Sequence, residues 1–338
     1  MQLNINWLDN IRFLATIFVV IIHIVFPIVE KFEVISPLYW HTANIVESIC
    51  RSAVPLFVML SGALLLGKNE ELMLFYRKRL QKIAIPFVIW SLIYLVISYL
   101  SEFFFKSTDK NKLLWLASQL KSGTAYHLWY IYMILGLYLT IPYLTKLIPK
   151  LSKIDFYLFF ILWAVTLFLK IPILNTYFPN FDLTFFTGYI GYLLLGYFLA
   201  QNDNYFSIKS GVFMVMVGWI CTIIFTYLSS RQEKHFIGVF YSYLSPNVAL
   251  ITVGIFIILK DIKIKSPLFQ KISQTISNYS FGIYLNHVLI ITLLYKLGID
   301  WKIVNPILGM VLTFLLVLSL SMIFTFVTEK IKIRKYLG

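Results

Sequence analysis

Five ionisable side chains, Arg12, His23, Glu47, Arg51 and His287, fall inside the long apolar runs of this 338-residue chain. In hydrocarbon such groups are expensive, so each is a candidate for chemistry unless it is paired or reaches water. Arg12 and His23 form the most suggestive pair. They are 11 residues apart, which on a helix is about 1100°, or three turns plus about 20°, with about 16 Å of rise. Both therefore lie on one face. A cation at the mouth of a passage with an imidazole beyond the midplane suits proton transfer, because His takes and returns a proton near neutral pH. The alternative is that Arg12 anchors the chain at the membrane surface and His23 is a hydrogen-bonded packing residue. Spacing alone does not choose between them.

Arg51 enters the second apolar run from the opposite side, at a depth close to that of His23, so the two can face one another. Snorkelling to the interface, or pairing with Glu47 one helical turn earlier, explains Arg51 equally well. In the following SAVPLFVMLSG, Pro55 is expected to kink the helix, Ser61 either bonds a substrate or satisfies a carbonyl, and Gly62 permits close packing. The run YRKRLQK gathers Arg77, Lys78, Arg79 and Lys82. Arg79 and Lys82, three apart, share a face where a helix enters the bilayer: a phosphate site if they act, a topology anchor on anionic lipid if they do not. His127, Trp129 and Tyr130 are placed near the outer mouth, where aromatic faces suit sugar stacking and equally an interfacial belt.

The elements that must hold these groups are apolar runs of about 17 to 25 residues, the length that spans hydrocarbon. Ten are found, roughly 11–29, 44–66, 83–99, 126–145, 156–169, 183–200, 212–228, 240–259, 280–297 and 304–327. The fifth is short and the eighth is interrupted by Pro246. No barrel-like alternation is present, so closed helices must satisfy the backbone, and the fold class is all-α, a polytopic integral membrane protein of about ten transmembrane helices. Lys and Arg in alternate connections number 18 on the side of the N-terminus and 10 on the other, which predicts N-in and C-in. Lys106, Lys110, Lys112 and Lys121, in the longest connection, run against it. No linker, repeat or low-complexity tract divides the chain, so residues 1–338 are expected to form a single transmembrane domain with no appended soluble domain.

Composition excludes other classes. At 59% hydrophobic and 13% charged residues the chain fits no soluble enzyme. Its net charge of +14 resides in short clusters between apolar runs, so the expected partner is membrane lipid and not nucleic acid. Cys50 and Cys221 have no disulfide or metal-ligand spacing and read as inert packing residues, and no metal is expected. The N-terminus lacks a basic n-region followed by a cleavage site, so the first run reads as a retained span. Gly188, Gly191 and Gly196 read as packing glycines in an apolar span, and the sequon at Asn278 falls in an expected cytoplasmic loop. The carboxylates lie almost entirely at span ends or in loops, so paired-carboxylate catalysis has no support.

NWLDNIRFLATIFVVIIHI, with Arg12 and His23 separated by ten residues, resembles the opening of the acyltransferase-3 family of integral-membrane acyltransferases. RSAVPLFVMLSGALLL resembles that family's second span, RKRLQKIAIPFVIW its basic third span, YHLWYIYMILGLYLTIPYL its His-Leu-Trp segment, and SFGIYLNHVLI, with Tyr284 and His287, its Ser-x-Gly-Ile-Tyr-x-x-His segment. The similarity runs in order along nearly the whole chain, and the opening is most similar to the small stand-alone enzymes of the enterobacterial common antigen O-acetyltransferase type. Lys82 stands where many members have Arg, and Val288 where Pro is common.

The resemblance implies an enzyme of the bacterial inner membrane that moves an acyl group, acetyl in the first instance, from cytoplasmic acetyl-CoA to a hydroxyl of an envelope glycan. On that reading His23, Arg12 and Arg51 are catalytic, with His23 a general base or a transient acyl carrier. Arg79 and Lys82 bind the acyl-CoA. Ser61, His127, Trp129, Tyr130, Tyr284 and His287 meet the acceptor. An exporter of a glycan intermediate, without covalent chemistry, also predicts a polar passage but has no use for a CoA phosphate site.

Overall fold

A computed structural model describes residues 5–68, 70–105, 111–172, 186–202 and 205–338. Among them there is no strand. The helices are α1 (Ile5–Val29), α2 (Pro37–Cys50), α3 (Ala53–Leu65), α4 (Leu72–Tyr99), α5 (Lys112–Ser122), α6 (Trp129–Leu147), α7 (Lys153–Leu169), α8 (Ile190–Gln201), α9 (Ile208–Glu233), α10 (Pro246–Asp261), α11 (Pro267–Lys296), α12 (Pro306–Lys330) and the one-turn α13 (Arg334–Leu337). Each of the ten expected runs contains a helix. By length and composition seven helical stretches are able to cross a membrane: Trp7–Val29, Pro37–Leu65, Leu72–Phe103, Tyr126–Lys150, Ile208–Glu233, Val239–Asp261 and Pro306–Lys330. Of the others, α7 has 17 residues, and α11 has 30 but carries Asn286, His287 and a polar first half. The expected start of the sixth run at Leu183, and the dissenting Lys106 and Lys110, lie outside the described residues.

Proline decides where several helices begin. Pro37, Pro246, Pro267 and Pro306 each occupy the first turn of a helix, where a missing N–H costs nothing and the fixed φ is already helical. Pro246 thus starts α10 rather than interrupting a span. Pro55 perturbs the second run as expected. The regular helix is interrupted at Arg51–Ser52, between α2 and α3, while both residues keep right-handed helical angles and the stretch Pro37–Leu65 stays one span. The reason is steric: a proline ring clashes with the carbonyl four residues earlier, which here is that of Arg51. The sequon also moves, since Asn278 lies within α11 rather than in a loop.

The bundle has apolar cores with polar side chains buried among them, and a largely apolar outer surface. On α12, Thr313, Ser321 and Thr325 are buried while Val311, Leu315 and Ile323 are more than half exposed, the arrangement of a helix whose outer face meets lipid. With lipid tails as apolar as leucine, helices gain by approaching closely, and glycine permits it. A Cβ on Gly62 of α3 would lie 1.8 Å from the Leu193 carbonyl oxygen of α8, and one on Gly196 would lie 2.0 Å from that of Met59. Gly191 abuts the Trp163 ring in the same way. Gly188 is not a packing glycine: a Cβ there would meet nothing within 4 Å, and its φ of +82° is what it supplies, at the turn into α8.

Two contacts place the site. α1 runs parallel to α11, Arg12 meeting Ser277 at one end and His23 meeting His287 further along. The C-terminal turn α13 folds back on α4, where Trp90 Nε1 donates to the Leu337 carbonyl at 3.0 Å.

Replacing Gly62 or Gly196 by Ala should destabilise the protein by about 1 to 3 kcal/mol, the usual cost of overpacking. Gly136→Ala, where nothing lies within 4 Å, should leave the melting temperature in detergent unchanged or slightly raised. Equal melting of all three variants would remove the close crossing of α3 and α8.

Candidate active site

A cavity of about 380 Å³ opens between α1, α3, α4, α6 and α11, lined by Arg12, Ser61, Arg79, Lys82, Tyr130, Tyr138, Ser280 and Tyr284 among Phe57, Leu60, Leu64, Leu65, Ile83, Ile131, Ile134 and Phe281. Six of the residues singled out in the sequence therefore share one chamber. Three cations and no carboxylate line it. A chamber with apolar walls and three cations on its lining favours an anionic ligand with a slender apolar portion.

The cations are held from behind. The Arg12 guanidinium donates to Ser277 Oγ at 2.9 Å and lies 3.5 Å from Asp9 Oδ1, to which the Ser277 hydroxyl donates at 2.6 Å. Arg79 lies 3.5 Å from Glu70, with Lys78 at 3.7 Å from the same carboxylate, and its guanidinium sits over the Phe75 ring. Lys82 is exposed. Ser61 donates to the Phe57 carbonyl at 3.0 Å, so it satisfies the backbone of its own helix while facing the cavity.

Beyond Tyr284 lies a cluster of three histidines. The His23 ring is 5.1 Å from that of His287 and 6.3 Å from that of His127, and His127 is 5.3 Å from His287. Tyr126 packs on His23 at 5.2 Å and Tyr94 on His127 at 5.2 Å. Among the described residues, no group of three or more His, Cys, Asp or Glu side chains is arranged to hold a metal ion. Tyr284 forms the partition between cavity and cluster. Its ring lines the cavity beside Tyr130, contacts His127 and His287, and its hydroxyl donates to the His127 carbonyl.

Arg51 pairs with Glu47 at 2.7 Å, the carboxylate being fully buried. Its guanidinium also lies over the rings of Phe26 and Tyr241, each at 4.9 Å, and of Tyr243 at 5.7 Å. The expected ion pair with Glu47 is therefore realised, and Phe26, which the guanidinium covers, is one turn from His23 on α1.

His127 and Tyr130 are not where the sequence placed them. His127 is 2% exposed, inside the cluster rather than at a mouth, because it falls in the 3-10 turn Tyr126–Leu128 that turns it inward ahead of α6. Tyr130 lines the cationic cavity, whereas Trp129, its neighbour, faces the other way and stacks on Tyr243 at 5.6 Å. Asp9, Ser277, Tyr94 and Tyr138 were missed. Asp9 had a signal, one turn before Arg12. Ser277 had none, since the apolar run of α11 was read as starting at Ser280.

The structure is thus an all-α membrane bundle with a cationic chamber set against buried imidazoles. The acyltransferase-3 family model, an acyltransferase domain, matches residues 5–326. The chain belongs to that family and is a membrane acyltransferase. No curated protein and no solved structure matches it.

Asp9→Asn removes the carboxylate behind Arg12 while keeping its shape. Acyl transfer should fall about 10-fold or more, as expected for loss of a charge-assisted contact of about 1.5 to 3 kcal/mol, with the melting temperature close to wild type. Full activity in Asp9→Asn would mean that Arg12 needs no such support.

Proposed function

We propose that the chain is an O-acetyltransferase of the bacterial inner membrane that transfers acetyl from cytoplasmic acetyl-CoA to a hydroxyl of an envelope polysaccharide or glycolipid, in the manner of the small stand-alone enzymes its opening resembles. The observation that carries this is the cavity that collects Arg12, Arg79 and Lys82 without a carboxylate and ends on Tyr284, one ring away from the histidines. Arg79 and Lys82 hold the CoA phosphates at the mouth, the thioester arm follows the apolar walls, and Arg12 supports the thioester carbonyl or the nearest phosphate. His23 meets the acyl carbon. Arg51, fixed by Glu47, steadies the acceptor or the developing oxyanion near His23. Trp129, with Tyr243, offers an aromatic face to a sugar ring. The termini lie in the cytoplasm, as the excess of cations on that side supports.

Arg79→Ala should weaken acetyl-CoA binding about 10- to 100-fold, the equivalent of one charge-assisted phosphate contact. Wild-type affinity should fall as salt rises, because the mouth is exposed. Equal affinity of the two proteins in nanodiscs would return the cluster to a topology anchor. Reporters fused after Lys82, Lys153 and Lys271 should read cytoplasm, and those within 30–43 and 231–239 the opposite side. An outside signal at Lys82 would detach Arg79 and Lys82 from a cytoplasmic donor.

A further inference from the structure

His287 is fully buried, and its ring is oriented by its own helix. Nδ1 lies 2.7 Å from the Tyr284 carbonyl and 3.1 Å from that of Ile283. Carbonyls only accept, so Nδ1 carries the proton, and in the neutral ring Nε2 is left as a lone-pair acceptor. That nitrogen has no hydrogen-bond partner. Nδ1 points back to its own helix, so Nε2 is directed out into the cluster, where His23 is the nearest imidazole at 5.1 Å between ring centres. His127, 2% exposed, borders the same space. A buried ring nitrogen without a partner carries a desolvation cost that packing leucine in its place would avoid. A base whose tautomer is set by a second group, with its free nitrogen beside a second imidazole, is the arrangement that a nucleophile–base pair requires.

Resting on the acyl transfer proposed above, we infer that His287 Nε2 is the base that deprotonates the acceptor hydroxyl, while His23 carries the acyl group as an acyl-imidazole. In the first half-reaction a ring nitrogen of His23 attacks the thioester carbon. The C–N bond forms, the C–S bond breaks, and the thiolate leaves with the electron pair and takes the proton from the other His23 nitrogen. In the second, the acceptor oxygen attacks the acyl carbon as its proton passes to His287 Nε2. The C–N bond then breaks, and the His23 nitrogen that receives the electron pair takes the proton back from His287. The sum is acyl-CoA plus alcohol giving ester plus CoA, with His287 restored and His23 neutral in its other tautomer, from which its ring proton exchanges back before the next turnover. His127, in ring contact with both, lies close enough to hold the acceptor hydroxyl between them.

The test separates the two half-reactions in the full chain, purified in nanodiscs. Radiolabelled acetyl-CoA without acceptor should load wild type and His287→Gln equally, and both should exchange label between acetyl-CoA and free CoA; His23→Gln should do neither. Hydroxylamine, a nucleophile that needs no base, should discharge both loaded proteins at the same rate. Transfer to envelope polysaccharide from a strain lacking the chain should be about 10² to 10⁴ slower in His287→Gln, the scale of a lost general base. His287→Asn serves as a second variant. In wild type alone, D₂O should slow transfer to polysaccharide but not discharge by hydroxylamine. Polysaccharide transfer at the wild-type rate in either variant, or with no response to D₂O, overturns the role of His287. Polysaccharide transfer by wild type without CoA exchange overturns the carrier while leaving the acetyltransferase standing. No acetylation of polysaccharide by wild type at all removes the proposed function itself.

Discussion

The cost of holding charge in hydrocarbon governs this structure, and the parallel contact between α1 and α11 is where it is met. Arg12 would be prohibitive on a lone helix. Beside α11 it gains Ser277, and through Ser277 a closed triangle with Asp9. Further along the same two helices, His23 finds His287, whose own ring is tied to the backbone of α11. One helix pair thus supplies one of the chamber's three cations and two of the three imidazoles beyond it. Because the helices are parallel, the order of these groups along the membrane normal is the same on both.

The second constraint is the break between α2 and α3. Pro55 forbids a helical bond at the Arg51 carbonyl, and the chain turns at that residue. Arg51 is consequently at the end of α2 with its side chain among Phe26, Tyr241 and Tyr243 rather than along a continuous helix facing lipid. Glu47, on the last turn of α2, neutralises it. Breaking a buried pair of this kind by removing one partner is far more damaging than never having had it, since an uncompensated charge remains. Glu47 and Arg51 are therefore best regarded as one unit, and the redirected α3 is free to make the glycine crossing with α8.

Much of this was legible in the residues. The shared face of Arg12 and His23 followed from helical angle alone, and the three-residue spacing of Arg79 and Lys82 placed both at one cavity. The helices were legible because hydrophobic runs of spanning length admit little else. What escaped had a common physical cause: a polar residue whose partner lies on another helix leaves no periodicity in its own. Ser277 sits in the polar first half of α11, ahead of Ser280 where the apolar run begins. His127 was misplaced because a 3-10 turn reverses the direction that a continuous span would have given its side chain. Tyr138 has no spacing signal of its own and enters the site because α6 brings it to the cavity.

Tyr284 gives the two compartments their relation. A thioester that reacts with a hydroxyl in open water is hydrolysed as readily as it is transferred, so the acyl group must be exposed to the acceptor but not to solvent. The Tyr284 ring closes the cationic cavity, and its hydroxyl is bonded to the backbone of His127, so the partition is tied to the histidine cluster itself. In the proposed reaction the arm of the donor must pass this ring to reach His23, while the main chain of the same residue accepts from Nδ1 of His287, so Tyr284 borders both compartments. An acyl-imidazole on the far side of that ring would be shielded from the water of the donor cavity once the arm withdrew, which is the condition under which a covalent carrier is more useful than direct attack.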